Sequence, residues 1–168
     1  LTATISFLDK IRASSEKVIL FAERKETQKM LQRVVRNRYG YTAKIINGDT
    51  PTSSDLNAGK QSRQSAIDDF QNRHGFGVII MSPVAAGMGL NVTAANHVIH
   101  YSRHWNPAKE NQATDRAYRI GQDKDVYVYY PMAVSPNFKS FDVTLDELLR
   151  RKINLASSTI FPTERIEV

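Results

Sequence analysis

The segment VIIMSPVAAGMGLNVTAANHVIHY, residues 78–101, contains two short apolar runs joined by a turn that is rich in small residues. Runs of this kind recur along the chain, and each is mostly apolar on both faces, which is typical of buried parallel strands. They predict strands at residues 18–21, 43–46, 78–81, 97–101 and 126–130.

Segments with an apolar period of about 3.6 residues separate these runs and predict helices. They cover residues 24–38, 63–70 and 108–120. Strands that alternate with helices of this length form βαβ units. The sequence therefore predicts an α/β fold of three layers, with a mainly parallel sheet flanked by helices.

A further helix is predicted near the carboxyl terminus, where TLDE forms a capping box that begins at Thr144. Three leucines and an isoleucine that follow lie broadly on one face of this helix and need an apolar surface, either on the sheet or on a neighbouring domain. We therefore expect a main domain over residues 1–135 and an extension over residues 136–168. The polar segment 52–61 is predicted to be a surface loop.

Length and composition restrict the class of protein. With 168 residues, 41% of them hydrophobic and 24% charged, the chain has room for one globular domain. No apolar run reaches the roughly 18–20 residues of a membrane span and no signal-peptide pattern is visible, so we expect no membrane contact. The absence of cysteine excludes disulfides, thiolate zinc sites and cysteine nucleophiles. The net charge of +6 favours a polyanionic partner, and a start at Leu1 instead of methionine suggests a longer parent protein.

Three histidines lie close together in the sequence, at positions 97, 100 and 104. Histidine is a common zinc ligand, but a separation of three residues places His97 and His100 on opposite faces of a strand. We therefore expect no metal site in this chain.

The turn at residues 82–91 follows the end of a predicted strand. In open parallel sheets, ligands bind beyond the carboxyl ends of the strands. Small residues and glycines let the backbone approach a ligand, and free amides in such a turn can bind phosphate oxygens. The other interpretation is a tight strand-to-helix turn that needs glycine for its own geometry.

Gln112, Arg116 and Arg119 are spaced at i, i+4 and i+7 in the predicted helix 108–120 and would share one face. Arginine carries a permanent charge and a planar set of donors that matches phosphate oxygens, so two arginines on this face indicate phosphate recognition. The alternative is a solvated helix in which Arg119 pairs with Asp115.

Basic residues lie largely on the side of the predicted helix 24–38 that is opposite its apolar stripe. They are Lys25, Lys29, Arg33 and Arg36. This face could meet a nucleic acid, but a solvated helix face is the commoner meaning of such a pattern.

Several motifs follow one another in the order found in a known family. They are KVILFAERKE at residues 17–26, INGDT at 46–50, RQSAIDDF at 63–70, SPVAAGMGLNVTAANHVIHYSRHWNP at 82–107 and QATDRAYRIGQ at 112–122. With these motifs the chain resembles the second RecA-like lobe, or helicase C-terminal domain, of Swi/Snf-type DNA translocases in helicase superfamily two. The segment FDVTLDELLRRKINLA near the end resembles the brace helix of that family. The chain departs from the family at Val84 and Ala86, where an arginine and a glycine are usual.

The resemblance implies roles for individual residues. Arg119 corresponds to the arginine finger that reaches the ATP phosphates held by the other lobe, and Arg116 corresponds to a second phosphate contact. Gln112 would help to set the helix at the lobe interface, and Gly89 and Asn91 fall where the fifth motif lines the nucleotide cleft. Contacts with DNA are implied for Asn47, Gly48, Ser82, Trp105 and Asn106. For Trp105, a buried structural role is the alternative.

The chain has neither the phosphate-binding P-loop nor the acidic Mg²⁺-binding motif of such enzymes, since both belong to the first lobe of the family. The resemblance therefore implies a half-enzyme with a P-loop NTPase-like fold, in which ATP and Mg²⁺ act in the complete two-lobe protein and neither is bound by this domain alone. The expected partners are the first RecA-like lobe of the same polypeptide and double-stranded DNA, and the expected state is a monomer. Such a protein would be cytoplasmic and nucleoid-associated in a prokaryote, or nuclear in a eukaryote. The alternatives are a non-catalytic nucleic-acid-binding or protein-interaction module and an RNA helicase lobe.

Overall fold

The computed structural model describes residues 1–52, 61–86, 90–118 and 121–160. Helices and strands alternate along these residues. The helices are α1 (Thr2–Ala13), α2 (Lys25–Tyr39), α3 (Arg63–Asn72), α4 (Pro83–Ala86), α5 (Pro107–Thr114) and α6 (Phe141–Ile160). The strands are β1 (Lys17–Phe21), β2 (Lys44–Ile46), β3 (Gly77–Met81), β4 (His97–His100) and β5 (Tyr127–Tyr129).

The five strands form one parallel sheet in the order β2-β3-β1-β4-β5. The central strand β1 pairs with both β3 and β4, so that Ile19 lies opposite Ile79 on one side and Val98 on the other. Each predicted strand is present, and no strand end differs from its prediction by more than one residue. The predicted three-layer α/β class is confirmed.

Helices cover both faces of this sheet. On one face, α1 and α2 pack against Val18 and Leu20 of β1. On the other face, α3 and α5 pack against Ile19 and Phe21 of the same strand. Successive side chains of a strand point to opposite faces, so a strand covered on both sides is apolar throughout, as the sequence of β1 is.

Two helical segments differ from the sequence-based predictions. α1 was not predicted, although its Leu8 and Ile11 are buried in the core. α5 ends at Thr114 with Asp115 as its C-cap, whereas the periodicity predicts a helix as far as residue 120. The chain continues from Asp115 in a turn, and residues 119–120 lie outside the described ranges.

The last helix, α6, begins earlier than its capping box predicts. Ser140 caps it, because the Ser140 hydroxyl accepts a hydrogen bond from the Val143 amide at 3.3 Å. Thr144, the predicted cap, lies inside the first turn and donates its hydroxyl proton to the Ser140 carbonyl at 3.1 Å. Leu145 and Leu149 of this helix are buried against the rest of the lobe, whereas Ile153 is exposed. The proposed division at residue 135 stays a prediction.

The structure leaves part of two predicted loops undescribed. The segment 52–61 is described only at its two ends, and Gly89 falls in the gap at residues 87–89. Across the residues that are described, no helix has the length and apolar character needed to cross a membrane.

Candidate functional site

The carboxyl ends of the parallel strands meet at one edge of the sheet, called here the carboxyl edge. Backbone hydrogen bonds extend the pairing just beyond the strands, from Ser82 N to Ile46 O at 2.9 Å and from Ala22 N to Met81 O at 3.0 Å. The segment after β4 joins the same edge, because Tyr101 N donates to Phe21 O at 2.9 Å. The structure thus brings the residues that follow β1, β2, β3 and β4 to one rim.

Asn47 and Gly48 form a tight turn at this edge, directly after β2. The Asn47 side-chain oxygen accepts a hydrogen bond from the Asp49 amide at 2.9 Å, and the Thr50 hydroxyl accepts one from the Asn47 amide at 3.0 Å. Gly48 is exposed, and a Cβ added there would meet nothing within 4 Å. The lobe itself therefore has no steric need for glycine at position 48.

Gln28 of α2 holds this turn in place, and it was not predicted. Its side-chain nitrogen donates to the Ala22 carbonyl at 2.8 Å, and its side-chain oxygen accepts from the Asn47 amide group at 2.7 Å. Gln28 is fully buried. The signal in the sequence was a polar residue on the apolar side of a predicted helix, and such a residue is buried only with hydrogen-bond partners.

Ser82 lies beside Asn47 along the same edge. Its hydroxyl oxygen accepts a hydrogen bond from the Ala85 amide at 3.1 Å and so begins α4. A hydroxyl that accepts one bond keeps its proton for a second partner. The residue is buried, with 8% of its surface exposed.

The loop after β4 carries Trp105 and Asn106. Asn106 is the N-cap of α5, and its side-chain oxygen accepts from the Ala108 amide at 3.0 Å. The Trp105 side chain is 56% exposed, so the alternative of a buried structural tryptophan is wrong. Lys152 of α6 donates to the Trp105 carbonyl at 3.2 Å, and the Phe141 ring lies 6.1 Å from the indole.

A buried ion cluster fixes this loop to two helices. The Arg103 guanidinium binds Glu110 of α5 at 2.8 Å and Asp146 of α6 at 2.5 Å, and it lies 4.1 Å above the Tyr130 ring. Burial alone would raise the pKa of Asp146, but hydrogen bonds from Arg103 and Arg150 hold that pKa below its usual value. Asp146 therefore stays ionised near pH 7, and the cluster links the Trp105 loop, α5 and α6.

His100, at the end of β4, is buried between two aromatic rings. Its ring stacks on Phe21 at 5.2 Å and on Tyr130 at 5.1 Å, and its Nε2 lies 2.9 Å from the Thr114 hydroxyl. Burial lowers the pKa of His100 to about 4, so the ring is neutral near pH 7. It supports the last turn of α5, next to the segment that carries Arg116.

His97 points to the other face of the sheet, as predicted. Its Nε2 lies 2.6 Å from a Glu16 carboxylate oxygen and its Nδ1 lies 3.0 Å from the Tyr129 hydroxyl. The hydrogen bond with His97 holds the pKa of Glu16 at about 2. Among the residues that the structure describes, no three histidine or carboxylate side chains come together as a metal site.

The two segments predicted to face the nucleotide are bonded to each other. Val92, next to Asn91, donates its amide proton to the Arg116 carbonyl at 3.1 Å. Gln122 adds a clamp, since its side-chain nitrogen donates to the Thr93 and Ala95 carbonyls at 2.9 and 2.8 Å. The role of Gln122 was not predicted, although the residue closes the RIGQ motif.

The side chains predicted on one helical face have different surroundings. Gln112 is exposed on α5, whereas Arg116 lies beyond the end of that helix and is only 4% exposed. Gln112 and Arg116 therefore do not share a face of α5, because this helix ends at Thr114. Arg119 and Gly89 lie outside the described residues, so their placement stays a prediction.

A comparison with known protein families identifies the class. The model of the helicase conserved C-terminal domain matches residues 3–121, so the chain belongs to this family. Within it the chain is a C-terminal lobe of the Swi/Snf type. A solved structure, the SWI2/SNF2 ATPase core domain of Sulfolobus solfataricus, aligns with a TM-score of 0.68 at 28% identity, over 94% of this chain and 29% of that one.

Individual proteins are similar over most of the chain. The Zorya protein ZorD of Escherichia coli O139:H28 is 53% identical over 150 residues, which are 89% of this chain and 14% of ZorD. The chromatin-remodeling ATPase INO80 of Arabidopsis thaliana is 37% identical over 123 residues, which are 73% of this chain and 8% of INO80. The chain thus spans a small part of each relative's length.

Proposed function

We propose that this chain is the second motor lobe of an ATP-dependent double-stranded-DNA translocase. In this proposal it supplies an arginine finger and a DNA-tracking surface to a first RecA-like lobe in the same polypeptide. The relative and the solved structure named above as ATPases support the use of ATP. The protein would act as a monomer, in the cytoplasm of a prokaryote or the nucleus of a eukaryote.

The observation that carries the proposal is the line of residues along the carboxyl edge. Asn47 and Gly48 follow β2, Ser82 follows β3, and Trp105 lies in the loop after β4. These positions are far apart in sequence, and the family resemblance implies a DNA contact for each of them. Amides, hydroxyls and small polar side chains at a strand rim are typical contacts with a phosphate backbone.

For the nucleotide, the described residues fit a lobe that approaches phosphates held elsewhere. Asn91 and Gln112 are exposed polar residues, and the Asn91 segment is bonded to the Arg116 segment through Val92. Bound MgATP supplies the phosphoryl group and the free energy for movement when the two lobes close.

Each residue has a defined part in this mechanism. Arg119 would donate hydrogen bonds to the γ-phosphate oxygens and would stabilise the charge that develops during transfer, an effect worth roughly 10³–10⁵ in rate in related chemistry. Arg116 is proposed as the second phosphate contact, and its burial means that it also supports the loop from inside the lobe. Closure and reopening of the lobes would move the carboxyl edge along one DNA strand.

The test is nucleic-acid-stimulated ATP hydrolysis by the complete two-lobe protein and by residues 1–168 alone. We expect duplex DNA to stimulate the complete protein and no measurable hydrolysis by the lone lobe. Absence of stimulation by any nucleic acid would contradict the proposal and favour a non-catalytic binding module. Stronger stimulation by duplex RNA than by duplex DNA would identify an RNA helicase lobe instead.

A further inference from the structure

The outer face of α2 carries four basic side chains that the proposed function does not use. Lys25, Lys29, Arg33 and Arg36 are all exposed on this helix. Their spacing places them within one narrow sector. The apolar residues Leu31 and Val35 occupy the opposite side and are buried in the core.

Within the described ranges, only one of these four side chains has an acidic partner. Lys25 forms an ion pair with Asp49 at 2.7 Å, and Arg38, on another side of the helix, pairs with Asp9 at 2.6 Å. Across the described part of the chain, no ion pair includes Lys29, Arg33 or Arg36. We call these three residues the α2 basic stripe.

The fold explains little of the α2 basic stripe, since only Arg36, in the last turn of α2, gains a favourable interaction with the helix dipole. Like charges four residues apart on a helix repel each other and disfavour the helix. The exposed heads add nothing to the apolar core formed by Leu31 and Val35. A polyanion bound along the stripe would attract all three side chains and so offset the repulsion between them.

The position of the stripe connects it to the carboxyl edge. Gln28 precedes Lys29 in the chain and is bonded both to the Ala22 carbonyl, at the end of β1, and to Asn47. The Lys25–Asp49 ion pair adds a second tie between α2 and the turn at Gly48. The stripe therefore begins beside the rim proposed to bind DNA and leads away from it along the outside of the lobe.

The dimensions match a nucleic-acid backbone. Arg36 lies seven positions after Lys29 in α2, a rise of about 10 Å at 1.5 Å per residue. Duplex DNA carries one charge per roughly 1.7 Å of its axis, so a track of that length faces about three phosphates of each strand. Long basic side chains can adjust to this spacing without sequence preference.

We propose that the α2 basic stripe is a second phosphate-binding track, which holds the duplex backbone next to the segment held at the carboxyl edge. This inference rests on the proposed function, because it extends the same DNA path. Its recognition is electrostatic and independent of sequence. An acidic protein segment is the competing partner, and the experiment below separates the two.

The test uses the complete two-lobe protein carrying Lys29→Gln, Arg33→Gln and Arg36→Gln together. A matched control removes one lysine and two arginines that are exposed elsewhere, with Lys10→Gln, Arg12→Gln and Arg73→Gln. The affinity for a fluorescent DNA duplex is measured between about 50 and 200 mM salt, where each lost phosphate contact lowers the slope of log K against log salt by roughly 0.9.

For the stripe variant we expect the slope to fall by about 2–3, whereas the control changes it by less than half as much. DNA-stimulated hydrolysis at saturating DNA should stay close to that of the unmodified protein, with a higher DNA concentration for half-stimulation. The charge-preserving variant Lys29→Arg, Arg33→Lys and Arg36→Lys should retain the original slope.

Two results would overturn the inference and leave the proposed function standing. One is a stripe variant with the same salt slope as the control while duplex DNA still stimulates hydrolysis. The other is an unchanged DNA slope combined with lost binding of a poly-glutamate probe, which would assign the stripe to an acidic protein. Failure of DNA to stimulate the unmodified protein would instead contradict the proposed function itself.

Discussion

The amide of Val92 donates a hydrogen bond to the carbonyl of Arg116 at 3.1 Å, and this bond joins the two segments that the sequence assigns to the nucleotide. Gln122 strengthens the connection by donating to the carbonyls of Thr93 and Ala95. The position of the Arg116 segment is therefore fixed by the loop between β3 and β4. A substitution that moves one of these segments should therefore also move the other.

Replacement of Gln122 by alanine should weaken both the fold and the chemistry. The substitution leaves two carbonyls without their donor and should lower the free energy of unfolding by about 1–3 kcal/mol. A shift of the adjoining Arg119 segment should lower kcat of the complete protein by roughly tenfold to a hundredfold. Gln32, which makes one hydrogen bond to the Ala43 carbonyl at 2.7 Å, provides the control. Gln32→Ala should lower the free energy of unfolding and leave kcat unchanged. Equal losses of kcat in both variants would contradict the role of Gln122 in positioning the Arg119 segment.

Two arginines, Arg103 and Arg150, bind the same aspartate, but their replacement should lower the free energy of unfolding by very different amounts. Arg103→Ala leaves Glu110 and Asp146 buried without their main partner and should cost about 3–5 kcal/mol of unfolding free energy. Arg150 binds the same Asp146 from an exposed position, so Arg150→Ala should cost at most about 0.5 kcal/mol. Chemical denaturation of both variants measures this, and similar costs would show that the cluster does not anchor α6.

His100 predicts a specific pH dependence of stability. Its pKa is lowered from 6.5 to about 4 because burial disfavours the charged ring. Between these two pH values His100 is mostly protonated in the unfolded chain and mostly neutral in the folded lobe. Stability is therefore complete above pH 6.5 and falls by up to about 3 kcal/mol as the pH drops to 4.

The variant His100→Phe should remove this loss, because phenylalanine keeps the stacking with Phe21 and Tyr130 but cannot titrate. Urea denaturation of the 168-residue chain at pH 7, 6, 5 and 4 is the measurement. His74→Gln, at an exposed position, is the control and should leave the loss in place. A loss that persists in His100→Phe would assign it to other groups.

Trp105 should report DNA binding directly, since it is the one tryptophan in the sequence and is exposed. Addition of duplex DNA to the 168-residue chain should quench or shift its emission. Trp105→Ala should raise the DNA concentration needed for half-stimulation in the complete protein, while changing stability by no more than about 1 kcal/mol. Trp105→Phe should be intermediate. An emission spectrum unaffected by saturating DNA would place the indole away from the duplex.

The sheet could be predicted from the sequence because both of its faces are covered. A strand buried on two sides must be apolar throughout, so the runs around Ile19, Ile79 and Val98 are visible without any partner. The order of the strands was not predicted, since it depends on which crossovers place β3 and β4 beside β1. The parallel direction of the strands brings Asn47, Ser82 and Trp105 to one edge, and the strand order makes Asn47 and Ser82 neighbours there.

Helix ends were predicted less well, because local signals compete there. The sequence contains a capping box at Thr144. In the structure, however, the Ser140 hydroxyl accepts the hydrogen bond from the Val143 amide, and the helix begins with Phe141. Periodicity alone extended α5 to residue 120, while the chain turns after Thr114.

Contacts between distant residues were beyond the sequence analysis. Arg103 and Asp146 are 43 residues apart, and Gln28 and Asn47 are 19 apart. The residues around one member of a pair do not indicate which distant residue is the other. A buried polar group requires a hydrogen-bond partner, but the sequence does not show which residue provides it.

The most direct test of the account is ATP hydrolysis by the complete protein carrying Arg119→Ala, in the presence of saturating duplex DNA. Arg73→Ala, an exposed arginine beside the start of β3, is the matched control. We predict a loss of roughly 10³–10⁵ in kcat for Arg119→Ala, with MgATP and DNA affinities retained and with the control fully active. Hydrolysis by Arg119→Ala within about tenfold of the unmodified protein would contradict the assignment of Arg119 as the arginine finger.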